Sequence, residues 1–183
     1  MINRCFIRVV VSQAGEESLA FGELERPLIK GLTCDSNGEV CEVSLCFSSL
    51  SGIRHSQGVK KGDVLFIEGT VGEFPKDNMI IYPVNMEEIY RDESSDLSRG
   101  VGLGIVKNAC REQKNFVAVE GVVKAVYDDT MLISFIPAMQ RGEVSKQCHL
   151  VVGGAESDIS AGQTVLFVGE PTKKGLVGSI YYK

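Results

Sequence analysis

The sequence predicts an all-β chain of two small five-stranded Greek-key barrels in tandem, and three observations predict it. The apolar run Val64-Leu65-Phe66-Ile67 follows the basic turn Lys60-Lys61-Gly62-Asp63 and closes at Glu68-Gly69. A fainter copy, Gly162-Gln163-Thr164-Val165-Leu166-Phe167-Val168-Gly169, recurs about a hundred residues later, a common domain length. Second, 20 glycines against 5 prolines, with frequent Val and Ile, favour short strands and tight turns. Third, no window sustains apolar spacing at the helical period over the length a globular helix needs.

In the first half, residues 4–11 read as a strand, Gln13 to Glu17 as the turn after it, and 19–32 as ambiguous. Asn37-Gly38 supplies the positive φ angles of a hairpin turn, from which Val40 to Phe47 returns. Ser48 to Gln57 reads as a short helix with Leu50 and Ile53 on one side and Gly58 as its stop. Strands at 64–71 and Met79 to Met86 follow, around the loop 72–78. Strand, strand, strand, short helix, strand, strand is the order of the OB barrel.

Residues 91–114, polar and then glycine-rich, read as a linker. Gly100, Gly102 and Gly104 lack both the Gly-Lys-Ser/Thr ending and the spacing of a phosphate loop. The second half opens on the strand Phe116 to Tyr127, whose internal Gly121 allows a sharp bend. Asp128-Asp129 turns it, Met131 to Ile136 returns, Lys146 to Val152 is the third strand, and a final hairpin pairs Val165 to Val168 with Leu176 to Tyr182. The domains are thus expected at 1–90 and 115–183.

Composition narrows function. A net charge of −5 argues against a generic nucleic-acid binder, yet the excess lies wholly in residues 1–92, with 9 basic and 14 acidic side chains, against 10 and 10 in 93–183. Six cysteines without a Cys-x-x-Cys, behind an amino terminus that reads as a strand rather than a leader, imply reduced thiols, no metal site and a cytoplasmic setting. No apolar run approaches a membrane span. His55 and His149 suggest no catalytic triad, and a turn explains Asp128-Asp129, so no enzyme activity and no cofactor are expected.

Met1-Ile2-Asn3-Arg4, the stretch Val43-Ser44-Leu45-Cys46-Phe47 with its short helix, Lys60 to Gly69, and Met79 to Ile89 together resemble the single-stranded DNA-binding proteins of bacterial and phage type, over about the first 90 residues. That resemblance implies an OB fold that binds single-stranded DNA, or RNA, in replication, recombination or repair, and a homodimer by analogy. Such proteins stack bases on aromatic rings along a basic groove. This chain has no Trp, and around Phe74 only Lys76 remains of the usual basic residues.

Rings with cations nearby in sequence are the candidate contacts: Phe47 with Arg54 and Lys60, Phe74 with Lys76, Tyr127 with Lys124, Phe135 with Arg141, and Tyr181 or Tyr182 with Lys173 and Lys174. Phe47 and Phe135 fit core and ligand surface equally, whereas Phe66 and Phe167 read as core. The acidic charge and the missing Trp keep a second class open, an interaction or scaffold subunit that holds a replication or repair protein rather than DNA.

Overall fold

The structure, a computed structural model, describes residues 2–21, 24–47, 50–72, 79–91, 101–111, 114–128, 130–135, 148–153 and 158–182, with the side chains of 16, 19–21, 24, 50, 51, 90, 91, 148–153 and 182 outside the description. In β1 (Asn3–Phe21) the odd positions Cys5, Ile7, Val9 and Val11 are fully buried, the period of two that a half-covered strand imposes. The expected turn at Gln13 to Glu17 is instead a slip in pairing within a long hairpin: β1 runs on to Phe21, and β2 (Leu24–Cys34) returns. Gly15, at φ 79°, sits in that slip.

The Asn37-Gly38 turn is present. Asp35 Oδ1 accepts the N–H groups of Asn37 and Glu39, each at 2.9 Å, and Gly38 adopts φ 80°. β3 (Val40–Cys46), α1 (Leu50–Ser56), β4 (Asp63–Val71) and β5 (Met79–Arg91) follow, β5 extending past the Met86 expected as its end. In the second half come β6 (Phe116–Val126), β7 (Thr130–Phe135), β8 (Cys148–Gly153), β9 (Thr164–Thr172) and β10 (Gly175–Tyr182). Gly121 permits a close approach: a Cβ there would lie 2.7 Å from the Ser134 carbonyl oxygen on β7.

All ten described strands belong to one sheet, and its pairings close twice. From β1 they run through β2, β3, β5 and β4 back to β1, and from β6 through β7, β8, β10 and β9 back to β6. In each circuit only the third and fifth strands are parallel, β3 with β5 and β8 with β10. Antiparallel pairing of Asn3–Phe6 with Val119–Phe116 joins the circuits. One cluster of buried side chains runs through both, from Ile7, Leu45 and Leu65 to Val119, Ile133 and Phe167.

The connection between the halves holds an unexpected element, the helix α2 (Leu103–Arg111). Its Val106 and Ala109 pack on Val10, Cys34 and Val64, outward-facing side chains of the first circuit that would otherwise meet water. Arg8 Nη1 donates to the Ala109 carbonyl at 3.0 Å. Two helical turns offer too short an apolar pattern to read from sequence, and the face of the sheet that they cover supplies the stability that propensity lacks.

Candidate nucleic-acid interface

Burial divides the expected contacts. Phe47, 2% exposed, and Phe135, 1% exposed, are core residues of the first and second circuits, which corrects their candidacy as stacking rings, since a ring with no face in solvent has none to offer a base. Phe47 directly follows β3 and Phe135 ends β7, strands whose inward positions are apolar, so the same parity carries both into the core. Phe74, Lys76 and Arg141 lie outside the described residues. Tyr127 is 58% exposed beyond β6, where its N–H donates to the Thr130 carbonyl at 2.8 Å, and Tyr181 is 55% exposed on β10 beside the buried Ile180.

The cations are at the surface. Arg54 is exposed on α1, Lys124 on β6, and Lys60 at the turn into β4, where its backbone N–H donates to Asp63 Oδ2 at 2.8 Å. Lys173 and Lys174 form the β9–β10 turn, and that turn meets the first circuit: Lys173 Nζ is 2.9 Å from Glu39 Oε2. Their hydrogen bond holds the Glu39 carboxyl below its usual range and Lys173 above its own. The pair is solvent-exposed, so a phosphate can compete for Lys173 at small cost.

A second group of rings lies on the outer face of the strands that join the circuits. Phe6 of β1 stands opposite Phe116 of β6 with ring centres 6.2 Å apart, and 6.3 Å from Phe66 of β4, nearly parallel. The Arg4 guanidinium is 5.5 Å from the centre of the Phe6 ring, a cation–π distance. Phe116 is 39% exposed. Phe66 is half-buried, not the core residue its apolar run suggests, because on β4 it shares a face with Glu68. Alternation held the clue for Phe6, which has the parity of Arg4 and Arg8 rather than that of Cys5, Ile7 and Val9.

Acids border this patch. Arg4 Nη2 is 2.6 Å from Glu68 Oε1, and Asn85 Nδ2 donates to Glu68 Oε2 at 2.9 Å; the Asn85 bond first, then Arg4, holds the Glu68 carboxyl below its usual range. Among the described residues no cluster of side chains suits a metal ion, and no helix is long and apolar enough to cross a membrane. Burial pushes the Cys5, Cys34 and Cys41 thiols up to about 12 and Cys46 up to about 11, so these sulfurs are protonated and unreactive at neutral pH.

No protein-family model matches the sequence, and no curated protein matches it. Among solved structures, the wild-type single-stranded DNA binding protein from Thermus aquaticus is similar over 100% of this chain and 93% of its own, at a TM-score of 0.50 and 10% identity. A deletion mutant of the same protein is similar over 100% and 94%, at 0.48 and 11%. A replication protein A heterotrimer bound to single-stranded DNA is similar over 91% of this chain and 38% of its own, at 0.32 and 13%. At 10% identity, the likeness to the wild-type Thermus protein is one of fold: the chain is a mostly-β protein with a single-stranded DNA-binding protein among its structural relatives.

Proposed function

We propose that the two pairing circuits are tandem OB barrels, residues 1–90 and 115–183 joined by 91–114, and that the chain binds single-stranded DNA, or RNA, with little sequence preference. The observation that carries the reading is the exposure of the aromatic rings Tyr127, Tyr181 and Phe116 on strands and turns of this fold, the last beside the half-buried Phe6 and Phe66 with Arg4 at hand. Rings kept in water lose their burial energy, and stacked bases restore it at ~1–3 kcal/mol each. Arg54, Lys60, Lys124, Lys173 and Lys174 supply exposed charge for phosphates. Phe74, Lys76 and Arg141 stay in the proposal on the sequence argument alone.

The proposed role is protection of single strands in replication, recombination or repair, in the cytoplasm, by binding rather than catalysis. A homodimer, giving four barrels, is proposed by analogy with the resembled proteins. A second reading, an interaction subunit for a replication or repair protein, is favoured by one observation: the phenylalanine patch borders Glu68, and Glu87 and Glu88 are exposed on the neighbouring β5.

Fluorescence anisotropy of a labelled oligo-dT of about 30 nucleotides, titrated at low and moderate salt, tests the proposal. We expect a rise at micromolar protein that weakens steeply with salt. A flat signal at low salt overturns DNA binding and leaves the interaction subunit.

A further inference from the structure

Helix α2 and the turn before β3 face one another across a cleft of about 450 Å³. One wall carries Lys107, Arg111 and Lys114. All three are exposed, and none forms an ion pair with a described residue. Lys107 and Arg111 share a helix face, about 6 Å apart along the axis. That is the scale of successive phosphates in a nucleic-acid strand.

The opposite wall is residues 35–38 with Glu170 of β9, and its acids are already engaged. Asp35 accepts the N–H groups of Asn37 and Glu39, and the Glu170 carboxylate accepts the Ser36 N–H at 3.0 Å and its hydroxyl. The three cations outnumber the two carboxylates that line the cleft, Asp35 and Glu170, and Lys107 also interacts electrostatically with Glu39 just beyond it, so the cleft stays net positive in a chain of net charge −5. The cleft also touches both halves, because the 35–38 turn belongs to the first circuit and Glu170 to the second.

We infer that this cleft is a phosphodiester site, in which Lys107, Arg111 and Lys114 hold the backbone of a single strand as it passes from one circuit to the other; the inference rests on the single-strand-binding reading above. Backbone contact of this kind carries no base preference. It also gives the connection a task besides tethering.

The test is the same labelled oligo-dT, titrated over a salt series with full-length protein and with Lys107→Gln/Arg111→Gln/Lys114→Gln. Each phosphate contact on a single strand contributes ~0.7 to the slope of log K against log salt, so the variant's slope should be shallower by about 2. Lys107→Arg/Lys114→Arg keeps the charge and should keep the slope. Exposure of all three side chains predicts unchanged melting; should the triple variant melt early, Lys107→Gln and Arg111→Gln alone should each lower the slope by ~0.7. Wild-type binding with an unaltered slope in the neutralised variants overturns the cleft and leaves the wider reading intact. Failure of the wild type to bind overturns both.

Discussion

A ring stacks on a base only with a face in solvent, and by that criterion Phe47 and Tyr181 are different objects. Phe47 is packed in the core, so Phe47→Ala opens a cavity and should cost ~3–5 kcal/mol of stability, while the fraction that remains folded keeps its affinity for oligo-dT. Tyr181 is half in water, so Tyr181→Ala should leave the urea midpoint nearly unchanged and weaken oligo-dT binding by ~1–3 kcal/mol. Urea denaturation and anisotropy on both variants check the pair, and a Tyr181→Ala protein that binds as well as wild type would remove that ring from the site. Sequence narrowed the ring to Tyr181 or Tyr182 near two lysines, because alternation lets only one of them face a ligand, and Tyr181 is exposed. It left Phe47 undecided, because a ring at a strand's end is core or surface according to what the rest of the chain lays over it. It misplaced Phe66 for a related reason: four apolar residues in a row mask the period of two, and only the neighbouring strands reveal which of them face outward.

Two sets of glycines look alike in composition and act oppositely as parts of elements. Gly169 of β9 and Gly178 of β10 stand opposite each other, and a Cβ on Gly169 would lie 2.2 Å from the Val177 carbonyl oxygen. Backbone, unlike a side-chain tip, cannot swing aside, so Gly169→Ala should destabilise by ~1–3 kcal/mol as the strands are forced apart. Gly104 lies in the first turn of α2 with nothing within 4 Å of the position a Cβ would take. Gly104→Ala should therefore stabilise by ~0.4–1 kcal/mol, through lower chain entropy in the unfolded state. Opposite shifts in the thermal midpoint are the expected result, and a destabilising Gly104→Ala would mean that α2 is not the helix described. The Gly100 to Gly104 run reads as linker because glycine density is a local signal, whereas α2 exists through the nonlocal packing of Val106 and Ala109 against Val10, Cys34 and Val64. The strand order around α1 was legible for the converse reason: its Asn-Gly turn, short helix and basic turn are all local chemistry.

At the scale of the molecule, the question is whether the two circuits act as one body. Several ties cross between them besides the pairing of Asn3–Phe6 with Val119–Phe116. The Glu120 N–H donates to the Ile2 carbonyl at 2.7 Å, and the Ile2 N–H donates to Glu120 Oε2 at 2.9 Å. Asn115, 7% exposed where the connection enters β6, accepts the Arg8 N–H at 3.0 Å and donates to Thr33 Oγ1 and the Cys34 carbonyl at 2.7 and 2.9 Å. Separating the halves would strip those buried groups of their partners, at a cost of ~1–3 kcal/mol for each left unsatisfied, besides exposing the apolar side chains under α2. We therefore expect the amides of β1 and β6 along their shared ladder to exchange hydrogen only on global unfolding, with the same free energy as the central strand β4. Native-state hydrogen exchange measures this directly. Equal protection means that a strand bound by both halves meets one rigid surface, whose affinity should keep rising with oligonucleotide length until both circuits are covered. Fast exchange at β1 and β6 with slow exchange in β4 would mean two tethered bodies, and lengthening the oligonucleotide would then gain only the effective concentration that the connection sets.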